Sequence, residues 1–497
     1  MKRRLDKIAK RIDAASDDHN DEELKLLIEE CEAALTNAKE VARVDLHYFI
    51  ANAHSALAIK AAQSEGPWSW QSHHEIQEAL ALRRAIAEPS YGDTHIVRRC
   101  QIHTNLGNKL SMLGRSVEAI SEFSKVLHLI PVFAKALGNR GRAIETYGYY
   151  LYDTGHQCLL LKQAMQDFRQ AAEPKAFWDS GFDPKAADLF ARKFSVAKAY
   201  LDAFEFQYDF DTNQFDLGDS REEIEYRRWC LANRLFLNPL NDVMVDTVAA
   251  TDVLHLPSHS YTWDEEARFP ALYNVLKQEF VSARYRFYTS TVSDEPHFSD
   301  REVLLMDALD YSMLDIRTEE MKLTFRSVYS IFDKVALFLN DYFKVGLAEK
   351  KVSFRELWEK QAKGGAFELR PAFVGSKNLP LRGLYFLAKD FFDENFVEVA
   401  SPEAKDLAEI RNFAEHRFVT LTEFGAPQAA NQSHRWIPRP EFERKTLHLI
   451  RMARAALIYL SLAMKREEEI RAEEDKDKPK KISLPIFSMP LERDFKC

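Results

Sequence analysis

Arg411 and His416 stand five positions apart in the segment Ile410-Arg411-Asn412-Phe413-Ala414-Glu415-His416. Histidine gives or takes a proton near neutral pH, and a guanidinium presents a fixed fork of donors to an anion. That combination makes the segment the chain's best candidate active site. The spacing alone has little specificity. With 15 histidines in the chain, about one such pair arises by chance. A second one is in fact present, Arg98 and His103, in a stretch that reads as the first helix of a repeat, where surface and packing roles are expected.

The helical wheel separates the two. Leu407, Ile410, Ala414, Phe418 and Leu421 form one apolar stripe if 402–422 is a helix, and that stripe fixes the face turned to a core. Asn412 and His416 then point away from it, one turn apart, with Arg411 about 60° to one side. Arg411 and His416 are themselves about 140° apart on an ideal helix. A single helix therefore does not aim both at one atom. Either the long Arg411 side chain curls round, or two copies meet across a dimer. Glu415 lies one turn from Arg411 and is placed to pair with it or tune the local charge.

Other chemistries find little support. The chain has no Gly-rich phosphate loop, no HExxH and no serine elbow. His73-His74, beside Trp68 and Trp70, reads as a surface loop, not a metal site, and neither a metal nor another cofactor is expected. Arg435-Trp436 falls in the loop before the last helix; packing of Trp436 is expected over stacking on a base.

These residues need a scaffold, and composition says which kind. The chain has 497 residues, 46% hydrophobic, with only 16 glycines, which favours helices over turn-rich sheets and two or three domains over one. Its formal net charge of −9 excludes blanket electrostatic binding of nucleic acid, so any such contact must come from a local basic pocket. The Met1-Lys2-Arg3-Arg4 run precedes Leu5, Ile8 and Ile12 at helical spacing and reads as a capping helix with a solvated basic face. Cys31, Cys100, Cys158, Cys230 and Cys497 are scattered and unpaired in pattern, as in a reduced compartment. No signal-like N-terminus and no run of ~20 apolar residues is found; the longest, Ala455 to Met464, is short. The expectation is a cytoplasmic protein without a membrane span.

The N-terminal third carries a repeat. Leu106, Gly107, Leu110, Ala119, Phe123 and Pro131 fall at the offsets of the tetratricopeptide (TPR) pattern. Small Gly107 and Ala119 let two helices approach, Phe123 fills the gap between them, and Pro131 ends the second. A second copy starts near Ala134, with Gly141, Ala143, Ala164, Phe168, Ala171 and Pro174; a degenerate one spans 24–62. The expected architecture is all-α: residues 1–175 as TPR-like repeats, 176–300 as further helical pairs continuing the solenoid, 301–465 as a compact bundle, and 466–497 as a charged, Pro-spaced tail. The bundle's predicted helices are Thr318–Phe343, Leu379–Phe392, Pro402–Thr422 and Pro440–Met464, with a short helix near 354–358. Val335 to Leu339 is apolar without interruption, which calls for burial on both sides and suggests homodimerisation.

The motif segment resembles the Arg-Asn-x-x-x-His signature of HEPN domains, which are four- or five-helix bundles. Tyr329–Phe343, Asn378–Asp390 and Trp229–Asp242 are similar to the branch of that family fused to TPR repeats. The resemblance implies metal-independent RNA cleavage within a dimer, often in toxins and antiviral defence. A ribose 2′-hydroxyl would attack its own phosphate, with His416 as catalytic acid/base, Arg411 as phosphate binder and Asn412 as an orienting group. Glu415, Asp333 and Lys334 are auxiliary candidates, the last two equally suited to a structural salt bridge. The implied partners are an RNA substrate, a protein or peptide trigger at the repeats, and a second copy of the chain. Two other readings are a scaffold that cleaves nothing and a toxin regulated by a partner nucleotidyltransferase. The intact Arg411/His416 pair favours cleavage over the first. The second calls for a tyrosine near the motif, where the nearest plausible one is Tyr385.

Overall fold

A computed structural model of the chain describes residues 2–38, 41–66, 68–179, 181–206, 210–257, 268–292, 296–306, 311–362, 365, 367–392, 407, 410, 417–424 and 434–474. Among these the fold is predominantly helical, with fourteen α-helices and five short strands. They divide into two compact units that do not follow chain order. The first comprises 1–149, 153–211 and 358–406; the second comprises 150–152, 212–357 and 407–497.

The first unit begins with nine helices: α1 (Lys2–Asp17), α2 (Asp21–Leu35), α3 (Val41–Glu65), α4 (His73–Ala87), α5 (Ile96–Met112), α6 (Ser116–Leu129), α7 (Ala134–Tyr149), α8 (Thr154–Ala172) and α9 (Pro184–Ala203). Consecutive members pack on one another, notably α3 with α4, α5 with α6 and α7 with α8. The small residues set the spacing as expected. A Cβ on Gly107 would lie 2.7 Å from the Phe123 ring, and one on Gly141 2.8 Å from that of Phe168. Both rings are fully buried. Asn20, Asp153 and Asp183 accept hydrogen bonds from the free amides that open α2, α8 and α9.

Three later elements complete this unit, although their sequence suggested the C-terminal bundle. The hairpin of β2 (Glu359–Gln361) and β3 (Phe367–Leu369) precedes α13 (Leu379–Phe392). Helix α13 has the predicted bounds but packs against the N-terminal helices. Gly114, with φ +83°, leaves no room for a Cβ beside the Leu379 carbonyl oxygen, so backbone meets backbone there. Buried Asp390 takes Arg83 at 2.7 Å and also Arg115, while Arg382 reaches Glu75 at 2.5 Å. Trp70, 2% exposed, lies among Trp358, Phe373 and Tyr385. It is core, not the surface loop the sequence suggested, and His73 and His74 open α4. The expected boundaries at 175 and 300 are thus not those of the compact units.

The second unit contains α10 (Arg221–Ala232), α11 (Arg268–Thr291), α12 (Ile316–Tyr342) and α14 (Arg439–Glu474), with α11, α12 and α14 mutually packed. A three-stranded sheet covers one end: β1 (Ser312–Met313) runs antiparallel to β4 (Phe418–Thr422), which pairs in parallel with β5 (His434–Pro438). Three expectations are corrected here. The helix predicted over 402–422 does not reach its end, because Phe418-Val419-Thr420-Leu421-Thr422 is β-branched and aromatic and forms a strand. The short helix near 354–358 is a run of turns. The last helix continues past Met464 to Glu474, into the stretch expected as an extended arm, where Lys465, Arg466 and Arg471 pair with glutamates one turn away. Helix α14 is also long and apolar enough to cross a membrane, which the sequence reading had not credited to any segment; 83% of its apolar window is buried inside the protein, as in a core helix.

Candidate functional site

The motif residues Arg411, Asn412, Glu415 and His416 lie outside the described residues, as does the tail beyond 474. Their two flanks are described. On one side Leu407 and Ile410 are helical and fully buried, the first two members of the apolar stripe expected to anchor this segment. On the other side Arg417 leads at once into β4, where Leu421 is fully buried but Phe418 is 71% exposed. Phe418 therefore does not belong to the apolar stripe of the predicted helix. In a strand, alternation replaces the helical period, so 418 and 421 fall on opposite faces.

Strand β5 fixes what stands beside that exit. Phe418 is register partner of His434 and Thr420 of Trp436. Nε2 of His434 is 2.7 Å from the Thr420 hydroxyl, its ring stacks on Trp436 at 3.8 Å and 22°, and the Phe418 ring lies 6.0 Å from it. Arg435 and Trp436, read as a loop, are strand residues. Val419, Leu421 and Ile437 on the other face are buried.

The auxiliary candidates Asp333 and Lys334 sit in α12 with structural partners. An Asp333 carboxylate oxygen accepts the Phe354 amide at 3.0 Å and so fixes the turn that follows. Lys334 holds both carboxylate oxygens of Glu279 on α11, each at 2.6 Å. Most of the apolar run that suggested a dimer is covered from within: Val335, Ala336, Phe338 and Leu339 are at most 2% exposed, Leu337 is half-buried, and α11 and α14 pack on α12. The decoy pair is likewise engaged. Arg98 pairs with Asp45 at 2.8 Å over the Tyr48 ring, and His103 with Glu122 at 2.5 Å. Burial by itself would raise the Glu122 carboxyl, but His103 and Lys125 bring it down to about 2.

Sequence reasoning missed two buried arginines that hold the unit together. In α14, Arg454 donates to the Phe236 carbonyl (2.6 Å), the Asn238 carbonyl (2.9 Å) and Asp242 (2.6 Å). In α11, Arg284 donates to the Leu235 carbonyl and forms a two-pronged pair with Asp252, each arm at 2.8 Å. Burial opposes ionisation of Asp252, yet Arg284 and the Leu237 amide hold it below its ordinary range. Together these arginines clamp the Asn238-Pro239-Leu240-Asn241 break, whose asparagines are fully buried. The signal available was the pairing of a break rich in Asn and Asp with arginines in the middle of apolar helices. Among the described residues, Cys31, Cys100, Cys158 and Cys230 are buried and free; burial pushes the Cys31 thiol up to about 12, unlike a reactive nucleophile. No group of three or more His, Cys, Asp or Glu among the described residues is arranged to hold a metal ion.

Comparison with curated proteins and with solved structures gave no match. A family model did match: the description "LA2681-like HEPN" fits residues 260–467. That span contains α11, α12, α13, the motif itself, strands β4 and β5 and most of α14. The C-terminal part of this all-α chain carries a HEPN domain.

Proposed function

We propose that the chain is a metal-independent endoribonuclease, an effector of the toxin or antiviral-defence type whose activity is governed through its repeat unit. One observation carries the reading: Arg411-Asn412-Phe413-Ala414-Glu415-His416 lies inside the HEPN match, between a buried helical anchor at Leu407 and Ile410 and strand β4. In that reading His416 moves the proton of the attacking ribose 2′-hydroxyl or of the leaving 5′-oxygen. Arg411 takes up charge on the phosphorane, where a forked donor gains most, and Asn412 orients the phosphate. Asp333 and Lys334 support the scaffold through Phe354 and Glu279. RNA is the substrate, a protein or peptide acts at the repeats, and the site is shared between two copies.

The test is cleavage of single-stranded RNA by the full chain in EDTA, beside His416→Ala and Arg411→Ala. Each variant should lose at least ~100-fold in rate. Mixing the two inactive variants should restore about a quarter of wild-type activity if the pair is completed across a two-fold dimer, since half the dimers are mixed and each has one intact site. Activity surviving both substitutions would remove the site. Absence of any recovery on mixing would place both groups in one copy.

A further inference from the structure

His73 and His74 take no part in the proposed chemistry, yet both stand against a third histidine. His54, on α3, is only 7% exposed, and its Nδ1 lies 3.0 Å from Nδ1 of His74 in the first turn of α4. The His73 ring is 6.1 Å from that of His54 and 5.3 Å from that of His74. A hydrogen bond between two imidazole nitrogens fixes the proton count. One Nδ1 must carry hydrogen and the other must offer a lone pair. The pair is satisfied when both rings are neutral, and it tolerates one further proton on the far nitrogen of the donor ring. A second proton would put hydrogen on both Nδ1 atoms, and the bond could not exist.

We infer that the His54–His74 pair is an acid-sensitive latch, which holds the connected end of the α3–α4 hairpin closed when neutral and releases it when both rings take a proton. The latch goes beyond the ribonuclease reading and does not rest on it. The charges around the pair suit a latch. His54 faces His74, His73 and Arg84 on α4, all of which repel an added proton. The neighbouring carboxylates are committed to other cations. On α4, Glu78 pairs with Lys109 of α5 and Glu75 with Arg382. Glu88, after α4, pairs with Arg43, and Asp45 of α3 with Arg98 of α5. On α2, Glu23 and Glu30 take Arg11 of α1, and Asp21 takes Lys60. Burial, reinforced by the three basic neighbours, holds His54 far below its ordinary value, at about 4. A released histidine protonates near 6.5, so the open form binds more protons between these values. The closed end is therefore fully stable above about pH 6.5 and loosens as pH falls towards 4. His47, seven residues earlier on α3, is equally buried but faces Glu88 at 3.2 Å. Burial lowers it too, while Glu88 opposes the shift, so acid acts most on the end held by His54.

The experiment is amide hydrogen exchange of the full chain, read by mass spectrometry at several pH values between about 7.5 and 4.5 and expressed as protection corrected for intrinsic exchange. In the wild type, peptides from 54–65 and 73–82 should lose protection by on the order of 10-fold per pH unit below about 6.5, the slope of one proton taken up on opening. Peptides from 43–50 should fall less steeply, and those from α6 to α8 should not follow. His54→Phe keeps a ring of similar size without a titrating nitrogen and should flatten the fall at 54–65 and 73–82. His74→Gln, at a half-buried position, removes the second proton site with less risk to folding and should flatten it as well. A wild-type loss spread evenly over α3 to α8 overturns the latch. So does a fall at 54–65 and 73–82 that stays as steep in either folded variant as in the wild type.

Discussion

The two units solve the same problem, burying helices of a charged chain, by different means. In the first, small residues let helices close on aromatic rings: Gly107 on Phe123, Gly141 on Phe168, Gly138 on Phe190. Backbone polar groups are satisfied inside the helices, and buried charges meet as side-chain pairs between helices, Lys109 with Glu78, Arg140 with Asp167 and Asp390 with Arg83. In the second, the stretch from Asn233 to Leu256 has no regular structure beyond the short 3-10 turns Pro239–Asp242 and Thr247–Ala249, and its part from Leu235 to Asp242 is buried. Local amides serve only some of its carbonyls, and Arg284 and Arg454 reach in from α11 and α14 to those of Leu235, Phe236 and Asn238. Regular packing tolerates graded damage, because a neighbouring side chain can shift. A buried guanidinium that serves two carbonyls and a carboxylate has no substitute. The units should therefore fail differently under mutation.

The sharpest way to break this comparison is Arg454→Ala. It removes the cationic partner at 2.6 Å from Asp242, a carboxylate only 4% exposed, and a donor from the Phe236 carbonyl, while the Asn238 carbonyl keeps the Asn241 amide. The expected loss is about 3–5 kcal/mol, read by urea denaturation of the full chain, with the second unit unfolding early. A loss below about 1 kcal/mol would mean the irregular stretch finds other partners and the contrast is unreal. The matching change in the first unit is Gly107→Leu, which forces a side chain into the Phe123 ring. Overpacking there should cost about 1–3 kcal/mol, and Gly107→Ala less, since the helical preference of alanine over glycine offsets part of the clash. If Gly107→Leu proves as damaging as Arg454→Ala, the first unit is as rigid as the second.

The same contrast explains what was legible in the sequence. Gly107, Ala119 and Phe123 announced a helical pair because the spacing of small and large residues is the packing itself. Helix α13 was placed to the residue for the same reason, although its partner was not: Arg83, Arg115 and Glu75 lie about 270–310 positions away, and an apolar face does not say which core it joins. The sheet was missed because Phe418 to Thr422 fits a helical stripe through Phe418 and Leu421 as well as a strand. What decides it is β5, whose pairing is visible only in three dimensions. Arg284 and Arg454 were missed because a lone arginine in an apolar helix looks like an exposed exception until the carbonyls it serves are located. The motif itself was legible as a pattern, and its flanks now show a buried helical side and a strand side.

Acid titration gives the finest test, because each unit has one carboxylate held below its ordinary range by buried arginine. Burial alone would raise Asp390, and Arg115 and Arg83 more than reverse it; Arg284 does the same for Asp252. A carboxyl with a depressed folded-state pKa takes up its proton more readily when unfolded. Its stabilisation is full above the unfolded value, near 3.8, and is lost as pH falls through the lower folded value. Both units should thus weaken in acid. Asp390→Asn should remove up to one proton from the linkage of the first unit, flattening its slope by at most about 1.4 kcal/mol per pH unit, and leave the slope of the second unchanged. Asp252→Asn should do the converse. The absolute losses will exceed these slopes, since each amide leaves arginines imperfectly paired, so the slope and not the midpoint is the quantity to compare. If either substitution flattens both transitions equally, the two carboxylates report on one cooperative core, and the division into two modes of burial falls.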